Sequence, residues 1–388
     1  MTEPEAAQAA PVRTALIVLA IAYFFVGATS LGVIGLVAEM SAGLGVRESA
    51  IAGLVTIFAV VYAVAAPLAQ AVLGGIARRR LIAAGVTLMA ASCFLCAIAP
   101  DYWTAAASRV GMALGAAITG PTASAAGAAM VPPEGRARAL AAVFTGLTVA
   151  SVMGMPLASW LGQTFGWRVA WVVMGCAALA IAPVVLRVMD DTNRGSRATL
   201  AVLLSVMRDR ALALSISTTA LQLMGQFITY GLLAVWLVQV AEAPHHLVPL
   251  LLFCFGIGGV LGNQISSIVA GRLGPEGTVT ACLVTVILAL SVLWLLPPVL
   301  WLIVPSMMVW SAAGLMVMAP LQTRLVRLAP EKSNLSLALN ASAVYVGMSI
   351  GSAISAVAYE TVGIGVLPVL TALGIGLALL AFRTSLVR

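Results

Sequence analysis

Charge is scarce in this chain of 388 residues. Asp, Glu, Lys and Arg make up 9% of it, against 62% hydrophobic residues. Soluble domains carry about a quarter charged residues, and one globular core of this length could not hide so much apolar surface from water. Lipid is the solvent that fits. Histidine is nearly absent: His245 and His246 stand side by side with no third ligand near, the pattern of a solvated loop, so neither a metal site nor a cofactor is expected. The five cysteines all lie inside apolar runs. Cys93 and Cys96 spell CxxC, but without a second pair or a nearby His they read as buried small side chains. Lysine is reduced to Lys332. Acids are absent from the middle of every apolar run, so no paired carboxylates and no nucleophile with a base are available for an intramembrane enzyme. Gly347-Met348-Ser349-Ile350-Gly351 matches GxSxG, but that chemistry needs a strand–turn–helix elbow and a downstream His, and none follows His246.

What the chain has instead is long apolar runs. A helix needs about 20 apolar residues to cross the hydrocarbon, and twelve spans are expected near 14–38, 49–73, 81–99, 103–130, 139–162, 166–188, 211–240, 247–270, 278–297, 299–321, 335–358 and 363–382. The runs are continuous, not alternating, which excludes a β-barrel. The first run is too long for a signal-peptide core and is read as a retained helix. The net charge of +7 sits in short clusters between the runs, as in loops beside a membrane, not on a basic face for nucleic acid. One side of this topology receives seventeen Arg and Lys; the other receives only Arg47 and Arg168. Both termini are therefore expected on the cytoplasmic side of the inner membrane. The expected organisation is a tail at 1–13, a six-helix bundle at 14–188, a charged linker at 189–210 and a second six-helix bundle at 211–388.

The halves repeat. PEGRARALAAVFTGLTVASVMG begins at Pro133 and PEKSNLSLALNASAVYVGMSIG at Pro330, an offset of 197 that also relates Gly74 to Gly271. Six spans per half make the repeats parallel, an arrangement typical of two-bundle transporters with a cavity near the midplane.

Several segments are similar to the major facilitator superfamily, and within it to the drug and sugar efflux branch. They are GLVAEMSAGLGV (35–46), SRVGMALGAA with Arg109 and Gly115, VPPEGRARAL (131–140), GLTVASVMGMP (146–156), GWR (166–168), FGIGGVLGNQ (255–264) and ALNASAVYVG (338–347). The resemblance spans nearly all of 14–383. It implies twelve helices in two pseudo-symmetric bundles, export by alternating access, proton antiport and a monomer. The chain departs from the family pattern twice. The loop before Arg78, Arg79 and Arg80 has Gly74 and Gly75 where an Asp-Arg pair is usual. Ser30 stands where many members carry an acid.

Coupling to protons needs a titratable group whose pKa changes between states. Glu39, at the outer end of the first span, is the one candidate. Arg109 lies about 9 Å into the fourth span. The two are expected either to pair at the outer mouth or, alternatively, to be a solvated carboxylate and a snorkelling arginine. Gly146, Ala150 and Gly154, with Pro156 beyond them, form a small-residue stripe that Gly347 and Gly351 repeat. Such stripes let helices approach closely in lipid. Gln222 and Gln226, one turn apart, should face a wet cavity or a partner helix. Tyr23, Ser30, Tyr230, Ser306, Trp310, Asn340 and Tyr345 are the other candidates for the substrate cavity. These groups suit a neutral, anionic or apolar small molecule, drug-like, sugar-like or a metabolite. The expected function is its export by a secondary transporter. The rivals are an uncoupled carrier and a non-transporting sensor or assembly factor.

Overall fold

The computed structural model describes residues 3–73, 75–132, 135–189, 209–296, 299–329 and 333–386. They are nearly all helical: α1 (Glu3–Leu31), α2 (Val37–Leu44), α3 (Glu48–Leu73), α4 (Arg78–Ala97), α5 (Tyr102–Ala129), α6 (Arg136–Phe165), α7 (Trp167–Val188), α8 (Arg210–Tyr230), α9 (Leu233–Gln239), α10 (Val248–Leu295), α11 (Leu300–Met316), α12 (Met318–Leu328), α13 (Ser333–Thr361) and α14 (Leu367–Thr384). Lipid offers no partner for backbone N–H and C=O groups, so an apolar run of this length satisfies them within its own helix. Where a helix starts in water, a side chain takes over: Asp101 accepts from Thr104 N at 2.8 Å, and Asp209 from Ala211 N at 2.9 Å. That bond from Thr104 holds the Asp101 carboxyl below its ordinary range.

Ten helical stretches are long and apolar enough to cross a membrane. One of them, His245–Leu295, is two spans joined across Gly274, whose φ of 71° kinks α10 just before Pro275. The runs expected at 247–270 and 278–297 are thus continuous in the chain. Another crossing is α5, 28 residues long but too rich in Ala, Gly, Ser and Thr to stand out by hydropathy. Together these make the twelve spans of an all-α membrane protein.

The repeat survives folding. Shifting α6 by 197 gives 333–362, and α13 runs Ser333–Thr361. The turns after them sit on Gly166 (φ 89°) and Gly363 (φ 87°), again 197 apart, in a left-handed region that favours glycine. The first span of each half is broken at the same relative depth. A 3₁₀ segment, Gly32–Leu36, separates α1 from α2, and Gly231-Leu232 separates α8 from α9.

The chain forms two compact units, Met1–Gly32 with Val61–Ala198, and Val33–Val60 with Thr199–Arg388. In the first, α1 packs on α5, α6 and α7, and α4 on α5 and α7. In the second, α8 packs on α13 and α14, and α10 on α11 and α14. This division departs from the expected 14–188 and 211–388 bundles at 33–60, which joins the second unit for a reason visible in its polar contacts below. Gly74, the Pro-Glu pairs at 133–134 and 330–331, Lys332 and linker residues 190–208 lie outside the described residues.

Both small-residue stripes face the first helix of their own half. A Cβ at Gly146 would overlap the Ala20 carbonyl oxygen, Ala150 packs against Gly27, and Gly154 faces Ala28. In the second unit, Cβ atoms at Gly347 and Gly351 would overlap the carbonyl oxygens of Ala220 and Met224. Dispersion between closely approaching backbones, not exclusion from water, holds such pairs together. Gly146→Ala is expected to lower stability by about 1–3 kcal/mol, because a backbone atom cannot yield as a side chain can. Gly75→Ala, with nothing within 4 Å of the added carbon, should be near neutral. Thermal unfolding of the two variants in detergent compares them.

Candidate functional site

In the first unit the polar centre is Arg109, which is fully buried. An α-helix leaves its last carbonyls without intrahelical donors, and α1 ends inside the membrane. Arg109 from α5 fills that gap: Nη1 donates to Thr29 O at 2.5 Å and Nη2 to Ser30 O at 3.1 Å. Its guanidinium also lies 5.9 Å from the centre of the Trp171 ring. The forked donor is matched to two adjacent acceptors. The snorkelling alternative is not what the structure holds. Ser30 enters this site through its backbone. Tyr23 is buried, with its ring edge-on to Phe144 at 5.1 Å, and it packs on Gly120, where a Cβ would come within 2.7 Å of it. On the arginine-rich end, Arg78 Nη1 donates to Ala125 O at 3.0 Å and Arg79 Nη1 to Met189 O at 3.4 Å, so this loop ties α4 to the ends of α5 and α7. Arg80 is exposed there.

In the second unit four of the expected cavity residues meet. Gln222 Nε2 donates to Gln226 Oε1 at 3.0 Å and to Gly314 O on α11 at 3.1 Å. One turn from Gly314, Trp310 packs edge-on against Phe255 at 5.0 Å, and Phe255 stacks on Tyr230 at 5.2 Å. The result is an amide pair beside an aromatic cluster. It is incompletely satisfied: among the described residues, neither Gln222 Oε1 nor Trp310 Nε1 has a hydrogen-bond partner, and both are buried. A lone buried polar atom costs about 1–3 kcal/mol, so these two are places where a solute's donor and acceptor would be rewarded. Asn340 Oδ1 instead accepts from Thr219 Oγ1 at 2.5 Å and braces α13 to α8. Ser306 returns its hydroxyl to Leu302 O at 2.8 Å. Tyr345 is partly exposed on α13.

A third constellation escaped the sequence reading. At the arginine-poor ends of its helices, the second unit carries a polar clasp. Tyr359 Oη and Gln239 Nε2 each donate to Glu48 Oε2 at 2.8 Å. Ser49 Oγ donates to Glu360 Oε1 at 2.5 Å, and Arg47 Nη1 lies 3.4 Å from Glu360 Oε2. One turn further in, Ser352 Oγ donates to Ala52 O at 2.9 Å. The beginning of α3, from the first half of the sequence, is thereby fastened to α9 and α13 from the second. This is why 33–60 belongs with the second unit. Glu39 sits in α2 in that unit, partly exposed, while Arg109 belongs to the first. The only hint in the sequence was negative: Glu48 and Glu360 are charged groups at helix ends, where solvation is the ordinary reading.

The model of the Major Facilitator Superfamily matches residues 19–352. The chain is 32% identical to Inner membrane transport protein YdhP of Escherichia coli, with 94% of each covered. It is 23% identical to a Probable sugar efflux transporter of Helicobacter acinonychis, over 90% of this chain and 89% of that one. Among solved structures, the nucleoside transporter NupG matches with a TM-score of 0.77 at 13% identity, covering 97% of this chain and 98% of that one. A bacterial homologue of the human lysosomal transporter Spinster, in an inward-facing and unoccupied conformation, matches with a TM-score of 0.73 at 17% identity, covering 97% and 95%. At these identities the structural matches speak for the fold.

Proposed function

The chain belongs to the major facilitator superfamily and is a multi-pass membrane transporter, and on that premise we propose that it exports a small uncharged or anionic molecule across the inner membrane by alternating access. Both termini then lie in the cytoplasm, with the arginine-rich loops. The observation that carries this reading is the clasp, a set of side-chain contacts exposed enough to break and re-form, joining the start of α3 to helices of the other sequence half on the outer side. Release of the clasp is the outward-opening step. The relatives named for sugar efflux and inner-membrane transport support export and a small polar solute. The Gln222–Gln226 pair and Trp310 offer hydrogen bonds and aromatic surface without a fixed negative charge, which suits a sugar-like or amphiphilic solute better than a multivalent cation.

Proton coupling is part of the proposal, acting through the clasp carboxylates, with Glu39 and Arg109 as the alternative coupling pair. The protein acts as a monomer. Transport by purified protein in sealed vesicles, with a panel of sugars and neutral amphiphiles, tests this directly. Uphill export should vanish when the pH gradient is collapsed; export that merely equilibrates would instead identify an uncoupled carrier. Gln222→Leu combined with Trp310→Phe should raise the KM for the transported solute at least tenfold, the cost of about one lost hydrogen bond at each group. An unchanged KM would remove this cluster from the substrate path.

A further inference from the structure

A groove of about 1130 Å³ runs along the arginine-rich ends of α1 and α6 in the first unit. Exposed Ile17, Ile21 and Val149 form its walls, with Phe24 and Ala142 deeper in. Arg13 and Arg138 stand at its mouth; both are exposed. Among the described residues, Thr145 is its one other polar side chain, with that hydroxyl engaged with Ala141 O at 3.0 Å, and none of them lining the groove is an acid. At about 100° per residue, Ala142 and Val149 project from the side of α6 roughly opposite Phe144, which packs on Tyr23. The groove therefore turns away from the Tyr23 face and has the character of a lipid-facing seam.

The geometry points to a binding site for one anionic phospholipid, its acyl chain along Ile17, Ile21 and Val149 and its phosphate between Arg13 and Arg138. Two arginines with no ionic partner among the described residues supply the complementary charge, at the membrane depth where a head group lies. Basic residues beside apolar seams between spans retain such lipids by this combination. Phosphatidylcholine offers the same chains without net negative charge, and a soluble phosphate offers charge without chains. Neither satisfies both parts of the site.

The test is native mass spectrometry of the delipidated full-length protein titrated with phosphatidylglycerol. One molecule should bind ahead of phosphatidylcholine. Arg13→Gln with Arg138→Gln should weaken that binding roughly thirtyfold. Ala142→Trp, which fills the groove and keeps both arginines, should weaken it comparably. Arg272→Gln with Arg327→Gln, exposed at the arginine-rich end of the second unit, should change it less than about twofold. Equal losses in the two arginine pairs would overturn the proposal in favour of diffuse surface charge. So would displacement by soluble glycerol phosphate, or full binding to the Ala142→Trp protein.

Discussion

Arg109→Met is expected to lower the stability of the folded protein by on the order of 3 kcal/mol and to reduce transport at least tenfold. Met keeps the aliphatic stem but gives up the guanidinium, and with it the contact over the Trp171 ring. What disappears is the pair of donors that cap α1 where it breaks, leaving Thr29 O and Ser30 O buried without them. Arg109→Lys separates charge from geometry. It keeps the cation, but one ammonium cannot reproduce the planar fork that reaches two adjacent carbonyls. Its loss should fall between those of wild type and Met. Thermal unfolding in detergent and vesicle transport, measured on all three, read the two effects separately. A Met variant as stable as wild type would mean that the broken end of α1 is satisfied in some other way.

The twelve helices were legible because lipid imposes one requirement, about 20 apolar residues per crossing, that composition displays openly. The repeat was legible for the same reason: an offset of 197 in the sequence returns as matched helix ends and as the paired turns at Gly166 and Gly363. Spacing by four puts the glycine stripes on one face, and Gly146 and Gly347 each meet a carbonyl of the first helix of their own half. The sites read through only in part. Gln222 and Gln226 are one turn apart and announce each other, but their third partner is the carbonyl of Gly314, and a carbonyl has no sequence signature. Arg109 stood out as a cation inside a span, expected to pair with Glu39 or to snorkel, and the partners it meets are again backbone oxygens. The clasp was invisible for a different reason. Ser49 and Glu360 are separated by 311 positions, and nothing local says that two helix ends rich in polar groups will meet.

The second large effect concerns those helix ends. Neutralising both clasp acids with Glu48→Gln and Glu360→Gln is expected to flatten the dependence of transport on external pH while leaving the protein folded. As carboxylates, Glu48 accepts from Tyr359 and Gln239, and Glu360 accepts from Ser49 and faces Arg47. Protonation removes acceptor capacity from each and removes the charge opposite Arg47, so acid on the outer side should favour the open clasp. Glu39, Glu242, His245 and His246 are the other titratable groups of the second unit near these helix ends, and Gln or Ala at each should leave the pH profile in place. These are solvent-screened contacts, individually weak. That weakness is what a gate requires, since contacts that must break in every cycle cannot each be strong. A double Gln variant that keeps the wild-type pH profile would remove both acids from the coupling.

Alternating access makes one demand that no static carrier shares: the clasp must come apart for each molecule moved. Ser352 Oγ donates to the Ala52 carbonyl at 2.9 Å, so the two segments adjoin across the clasp, and Ala52→Cys with Ser352→Cys, in a background without the five native cysteines, is the pair chosen to lock it. Oxidation should abolish transport and reduction should restore it, while each single variant stays active. Transport at an undiminished rate with the disulfide fully formed would contradict the mechanism.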